Sequence, residues 1–325
     1  MEYGNISNVD KPVSRLVQGT IMLSFAEEEY SFDLLDQVYD AGINTFDSAH
    51  LYGGGECERV LGRWIEDRGL RREIVILTKC CHMNADRARV TPYDISSDLH
   101  DSLARLNTDY VDLYLLHRDD VRVPVAPIMD TLNQYISAGI LGVIGGSNWT
   151  HDRIERANLY AATSGQQPFT VSSPNFSLAE QAEPPWRGCI SISGKDGADA
   201  RSWYLENQMP LFTWSSIASG FFSGRVNREN YESQAEQGLF DESSVRAYCT
   251  DDNFERLDRV EELANEKGLS IPQVALAYVL SQPLNIFALV GARNGDEIRA
   301  NLQALETKLT AEEMAWLNLE RTERF

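Results

Sequence analysis

The chain has 325 residues, 43% of them hydrophobic and 24% charged, an ordinary globular composition with ample length for a large core. Its net charge of −20 sets up a field that repels nucleic acid and acidic membrane surfaces, which excludes both as expected partners. No run approaches the roughly 18 to 20 apolar residues that span a bilayer, and no basic segment followed by an apolar stretch opens the chain, so a cytoplasmic protein is expected.

In chain order, short apolar runs rich in β-formers alternate with amphipathic helical windows. The strand candidates cover 16–19, 43–46, 74–78, 111–116, 141–144, 170–173, 211–214 and 286–290. Each run is continuously apolar rather than alternating, as parallel strands covered on both faces are. Between them, Ile95, Leu99, Leu103 and Leu106 share one helical face, and Ile128, Leu132, Tyr135 and Ile136 share another. Gly42, Gly139 and Gly268 close helical windows where a left-handed cap is expected. Two segments break the rhythm, 177–207 with its Glu183-Pro184-Pro185-Trp186 and 221–250, and both read as long loops at the catalytic end. Helices over 253–267 and from 272 to 280 follow, and a last helix over 311–319 is expected outside the barrel.

Eight strands separated by helices specify a closed barrel or a large doubly wound sheet. The strand count favours a (β/α)8 TIM barrel, and no Gly-x-Gly-x-x-Gly follows the first strand, as a dinucleotide-binding doubly wound sheet requires. We read residues 1–325 as one domain. The five cysteines (Cys57, Cys80, Cys81, Cys189, Cys249) are odd in number and lack a CxxC pair, so reduced thiols are expected, with Cys80 a buried strand-end thiol.

Active sites of such barrels sit at the C-terminal ends of the strands. Where the apolar runs stop, the sequence places Asp47 with Tyr52 in the loop beyond, then Lys79, then His117, then Ser147-Asn148, each about one βα unit apart. This set suits carbonyl reduction. Hydride arriving at carbon leaves an oxyanion that needs a proton, which Tyr52 can supply. An unperturbed phenol has a pKa of about 10; a neighbouring Lys79 ammonium is expected to lower it, with Asp47 holding the lysine charged. His117 can donate a hydrogen bond to the carbonyl oxygen. Taken singly, Asp47 reads equally as a turn or cap residue, Tyr52 as a packed ring and His117 as a solvated strand-end histidine. Lys79 resists a bland reading, because a lysine ending a buried strand needs a partner. The joint placement favours the site. A metal-dependent hydrolase needs several histidine and carboxylate ligands at strand ends, and of the histidines only His117 qualifies.

The motifs also resemble a known family. Asp47-Ser-Ala-His-Leu-Tyr52-Gly53 followed by Glu58-x-x-Leu61-Gly62, Leu77-Thr78-Lys79 and Asp112-Leu-Tyr-Leu-Leu-His117 are similar to the aldo-keto reductase motifs of the second, third and fourth strands. Gly145-Gly-Ser147-Asn148-Trp149, Trp214-Ser215-Ser-Ile217-Ala-Ser-Gly220 and Val290-Gly291-Ala292-Arg293 with Asn301 resemble its nicotinamide, pyrophosphate and adenosine segments. The resemblance runs in order from about Leu16 to about Leu305. It implies a nicotinamide-dependent oxidoreductase with Asp47, Tyr52, Lys79 and His117 in the catalytic roles. It implies cofactor contacts by Gly19, Thr20, Met22, Asp47, Ser147, Asn148, Ser173, Phe176, Trp214, Ser215, Ile217, Gly220, Gly291, Arg293, Glu297 and Asn301.

Two departures stand out. Ser173 replaces the family's usual glutamine and is too short to reproduce its contact, while Phe176 keeps a ring for stacking on nicotinamide. Glu297 near the adenosine ribose favours NAD(H), whereas the Arg293 guanidinium suits a 2′-phosphate; on balance NADP(H) is expected over NAD(H). Trp149, Trp186, Trp203 and Trp214 suggest an aromatic mouth suited to a sugar or an aromatic carbonyl. The competing reading is a non-catalytic or slow nicotinamide-binding redox-sensor subunit.

Overall fold

The computed structural model describes residues 1–324. Ten strands form in chain order: β1 (Tyr3–Gly4), β2 (Val13–Ser14), β3 (Leu16–Gly19), β4 (Thr45–Asp47), β5 (Val75–Cys80), β6 (Val111–Leu116), β7 (Leu141–Ser147), β8 (Val171–Ser173), β9 (Leu211–Thr213) and β10 (Ile286–Val290). Strands β3 to β10 pair in sequence order, all parallel, and β10 closes on β3 through Ala288–Leu16, Leu289–Val17 and Val290–Gln18. Helices follow the strands around the outside, giving the expected (β/α)8 barrel.

Parity along each strand sorts the side chains. Val17, Val75, Leu77, Leu113, Leu115, Val143, Val171, Phe212 and Phe287 form one buried cluster inside the barrel. Their neighbours Leu16, Phe46, Ile76, Tyr114, Leu116, Ile144, Leu211 and Ala288 belong to a second cluster, shared with the helices. Successive strand residues point to opposite faces, so a run buried on both sides must be apolar throughout.

The expected strands all form, with shifted ends. The largest change is β7, which continues past Ile144 through Gly145-Gly146 to Ser147. Glycine weakens a strand in general, but here it permits close approach. A side chain on Gly145 would collide with the Val171 carbonyl of β8, and a Cβ on Gly146 would lie 2.6 Å from the Trp149 ring. The antiparallel hairpin β1–β2 lies below the resolution of any sequence pattern, being two residues per strand. It delivers Ile6 and Val13 to the interior cluster.

Gly42, Gly139 and Gly268 adopt the expected positive φ after their helices. The segments 177–207 and 221–250 are not simply loops. The first contains the helix Ala198–Asn207, and the second contains Tyr231–Glu236 and Glu242–Tyr248. Ala198–Asn207 buries only Tyr204, so it carries no apolar periodicity to read. The later helices run Asp251–Lys267, Ile271–Leu280 and Ala311–Leu317. Among the described residues, no helix is long and apolar enough to cross a membrane.

Candidate active site

Parity carries over to the strand ends. Continuing the inward series by two residues leads from Val17 to Gly19, from Leu77 to Lys79, from Leu115 to His117, from Phe212 to Trp214 and from Phe287 to Leu289. Together with Asp47 and Ser147, these residues line one cavity of about 660 Å³ at the C-terminal mouth. Only β8 contributes no residue to that lining; its inward end residue, Ser173, is fully buried. Three strands leave the mouth through non-glycine residues in the left-handed region: Cys81 after β5 (φ 63°), Asn148 after β7 (φ 58°) and Ser215 after β9 (φ 54°). Such strained backbone clusters at functional sites.

The centre of the cavity is an ion pair. Lys79, 2% exposed, donates from Nζ to Asp47 Oδ1 at 2.5 Å and to the Ser48 carbonyl at 3.0 Å. The same ammonium lies 5.2 Å from the centroid of the Tyr52 ring. Burial disfavours the lysine charge, but Asp47 and Tyr52 more than offset it, and the Lys79 pKa is raised. Burial pushes the Asp47 carboxyl upward while Lys79 pulls it back. The ion-paired form is the one the geometry holds.

Tyr52 sits in a tight turn, Tyr52–Gly55, in which Gly53, Gly54 and Gly55 all have positive φ. The Gly-Gly-Gly run is thus a compact left-handed turn rather than a flexible loop, and it points the phenol back over Lys79. The phenol departs from the simple expectation for its acidity. Burial raises its pKa by more than Lys79 lowers it, so the net shift is upward. The group is held as a neutral phenol, the form that donates a proton.

His117 stands edge-on to Tyr52, ring centroids 5.9 Å apart, and edge-on to His82 at 5.0 Å. Burial first, then the charges of Lys79 and Arg118, pushes its imidazole well below the usual histidine range. A neutral ring is set beside the phenol. His50, although close in sequence to Tyr52, turns away to Asp101 at 3.0 Å.

The expected cofactor residues divide by location. Gly19, Thr20, Asp47, Ser147, Asn148, Trp214 and Ser215 line the cavity. Ser147 and Asn148 also tie the strand ends together. Ser147 Oγ donates to the Ser173 carbonyl at 2.9 Å, and Asn148 Nδ2 donates to the His117 carbonyl at 3.2 Å. Phe176 lies off the cavity wall. It is buried beyond Pro174 and packs on Tyr278 of the helix Ile271–Leu280, centroids 6.4 Å apart. The aromatic wall is supplied by Trp214 and Trp186, 6.1 Å apart. Trp149 is buried edge-on against Phe169, and Trp203 packs on Tyr204, so neither reaches the mouth.

Met22 and Arg293 line a second groove, with Glu27, Glu28, Glu29 and Tyr30. The Glu297 carboxylate stands beside that groove, near enough to add to the burial that raises the Tyr30 phenol. It accepts the Arg293 backbone N–H at 2.9 Å, while the Asn294 side chain caps the helix Gly295–Glu306 by accepting the Glu297 N–H at 3.0 Å. Ile217 precedes the turn Ala218–Gly220 and Gly220 ends it, Gly291 is exposed after β10, and Asn301 is half-buried on the helix Gly295–Glu306.

Several cavity residues were missed in sequence, namely His82, Met83, Arg118, Arg187 and Cys189. For Arg118 the one signal in the chain was adjacency to His117, which does not say whether its side chain enters the cavity. Trp186 to Cys189 come from the first long loop. The second does not touch the cavity and instead braces the first, through Ala182 N–H to the Ala247 carbonyl at 2.8 Å and Gln181 to the Tyr248 hydroxyl at 2.9 Å.

Two residues lining the mouth carry buried polar atoms without partners, His117 Nδ1 and Trp214 Nε1. Such orphans are rare in folded proteins, and at a cavity wall they suit a ligand that brings hydrogen-bonding groups. Among the described residues, no three His, Cys, Asp or Glu side chains gather as metal ligands.

Comparison with known proteins agrees with this geometry. The sequence model of the Aldo/keto reductase family matches residues 15–318. A probable aryl-alcohol dehydrogenase of Saccharomyces cerevisiae is 28% identical, the match covering 89% of this chain and 87% of that protein. An aryl-alcohol dehydrogenase [NADP(+)] of Phanerodontia chrysosporium is 27% identical over 90% of this chain and 76% of its own length. Among solved structures, a thermostable aldo-keto reductase crystallised with the inhibitor epalrestat superposes with a TM-score of 0.71 at 22% identity, covering 98% of this chain and 99% of the other.

Proposed function

This chain belongs to the aldo/keto reductase family and is an oxidoreductase of the carbonyl–alcohol couple; we propose that it reduces a small aldehyde or ketone, or runs the reverse, with Tyr52 as proton donor. The observation that carries the reading is the convergence of Tyr52, Lys79, Asp47 and His117 on one cavity mouth. A nicotinamide dinucleotide, when bound, supplies or takes the hydride. Residues Gly19, Thr20, Ser147, Asn148, Trp214 and Ser215 would hold its nicotinamide end, and Met22, Gly291, Arg293 and Asn301 its adenosine end, with Ile217 and Gly220 between.

In the reductive direction the neutral Tyr52 phenol gives its proton to the carbonyl oxygen as negative charge develops there. Lys79 stabilises the phenolate left behind, and Asp47 keeps Lys79 charged and aimed. Neutral His117 donates a hydrogen bond to the same oxygen and orients the carbonyl. Trp186 and Trp214 supply the aromatic wall of the site.

The favoured cofactor is NADP(H). Glu297 is engaged on the backbone of residue 293 and forms no ion pair with the Arg293 guanidinium, which leaves that cation for a 2′-phosphate. The aromatic walls suit an aryl carbonyl or a sugar, and five free thiols suit the reducing cytoplasm.

The test is cofactor oxidation, followed by the near-ultraviolet absorbance of reduced nicotinamide, with NADPH and NADH and a panel of aldehydes and ketones. Turnover is expected with NADPH preferred, and Tyr52→Phe is expected to lower kcat by roughly 100- to 10,000-fold with cofactor affinity nearly unchanged. Tight cofactor binding with no turnover on any carbonyl would instead favour a redox-sensor role.

A further inference from the structure

Buried charge in this protein is almost everywhere paired. Among the described residues, Asp47 pairs with Lys79, Glu58 with Arg105, Asp94 and Asp98 with Arg89, Asp112 with Arg71, Arg256 with Glu180, and Glu313 with Lys267. Arg118 is the exception. It is 5% exposed and lines the cavity, and no carboxylate forms an ion pair with it. The acids that follow it are engaged elsewhere, Asp119 with Arg153 at 3.2 Å and Asp120 with Arg122 at 2.8 Å.

A guanidinium stays protonated in proteins and carries five N–H donors. Arg118 places three of them on neutral partners: Nη1 on the His117 carbonyl at 2.9 Å, Nε on the Arg187 carbonyl at 3.2 Å and Nη2 on Cys189 Sγ at 3.3 Å. Two N–H groups and the whole positive charge remain uncompensated. An unpaired buried charge is costly to keep, so its retention at a ligand cavity points to a partner that arrives with the ligand.

The surroundings support the same sign. Asp47 is the one acidic side chain lining the cavity, against the cations Lys79, Arg118 and Arg187, and Asp47 is already neutralised by Lys79. A net positive mouth on a chain of charge −20 is a local design against the global field. The loop above is shaped to leave room for Arg118. Gly188 has φ +77°, and a Cβ there would sit 3.2 Å from Arg118 Cδ and 3.3 Å from Met83 Cε.

Building on the carbonyl-reduction reading, we propose that Arg118 selects an anionic substrate, its free N–H pair receiving a carboxylate whose carbonyl end lies against Tyr52 and His117. Carbonyl substrates bearing an acid group, such as aldehyde acids and carboxylated aryl aldehydes, are the class it takes. A phosphate shares this chemistry, so the experiment separates the two.

The test measures kcat/KM with NADPH for matched pairs: butanal against succinic semialdehyde, benzaldehyde against its carboxylated isomers, and glyceraldehyde against its phosphate ester. The charged member of at least one pair is expected to lead its neutral parent by roughly 10- to 100-fold, as a charge-assisted fork contact gives. Arg118→Met is expected to bring that ratio near unity, and Arg118→Lys to keep part of it. A lead confined to the phosphate ester upholds the anion site and makes phosphate its ligand, overturning the carboxylate assignment. Binding of benzoate against benzyl alcohol to the cofactor-loaded protein, followed by tryptophan fluorescence, gives a readout independent of turnover. No anion preference in any wild-type pair together with no benzoate binding overturns the proposal, as does a ratio unchanged in Arg118→Met. Neutral carbonyls turned over without that preference would leave the reductase reading standing. Arg118-dependent benzoate binding with no turnover on any carbonyl would uphold the anion site and end the reductase reading.

Discussion

Lys79 and Tyr52 show how position sets acidity. The phenol is raised by burial and lowered by the ammonium beside it, and burial wins. Removing Lys79 takes away the largest lowering influence and leaves only the weaker pull of Arg118 against burial and Asp47. Lys79→Met is therefore expected to move the alkaline limb of the reductive kcat/KM profile to higher pH. Reduction, which consumes a phenol proton, should suffer less than alcohol oxidation, which needs phenolate. A pH series run in both directions checks this, and an alkaline limb that stays in place or falls would show that the ammonium does not control Tyr52. His117 is not expected to add a limb near neutrality, because burial and neighbouring cations keep it neutral there. Sequence alone named Lys79, Tyr52 and His117, and Asp47 with them. It missed the sign of the phenol shift because a residue pattern gives neighbours but not the depth of burial.

At the scale of elements, the site depends on how closely the outer helices approach. Gly62, in the helix Glu56–Arg68, faces the end of the helix Pro92–Leu106, and a Cβ there would lie 2.6 Å from the Leu106 backbone. Backbone cannot swing aside as a side chain can. Gly62→Ala is expected to cost about 1–3 kcal/mol of stability by forcing these helices apart, measured by urea unfolding with an unchanged m-value. A neutral result would mean that the helices can slide at that contact. The same helix pair holds a buried bond network, with Glu58 accepting from Thr78 of β5 at 2.7 Å and from Arg105 at 3.2 Å. The strand carrying Lys79 is thereby tied to both helices. The helices within the two long segments were not legible in sequence. Ala198–Asn207 buries one side chain and shows no periodic face, so its existence depends on its neighbours rather than on its own pattern.

Across the whole molecule, the barrel interior is the support on which the mouth is built. Phe212 and Phe287 stack at 5.0 Å with planes 12° apart, and the Arg15 guanidinium covers the Phe287 ring at 4.4 Å. Phe287→Ala leaves a void in a closed cylinder that cannot collapse easily, and a loss of about 3–5 kcal/mol is expected, read by thermal or denaturant unfolding. Because Phe287 is two residues below Leu289 on the inward series, the variant should also raise KM for substrate more than for cofactor. A stability loss well under the expected range would indicate that the interior repacks.

By itself the sequence placed the eight strands along the chain, favoured the barrel by their count and picked out the four polar residues at the ends of β4, β5 and β6 and in the turn after β4. These follow from local facts, since continuous apolar runs require burial on both faces and polar residues that end such runs must lie at the rim. Tertiary structure alone decided which side chains look into the cavity. Ser173 and Phe176 look equivalent to cavity residues in the chain, yet one stays beneath the floor and the other packs outward on a helix. Arg118 reads as one more charge in an Arg-Asp-Asp run, and only the engagement of both aspartates by other arginines leaves it buried and unpaired. Whether a charge is compensated depends on distances between segments that pairing brings together, and no spacing along a chain encodes them.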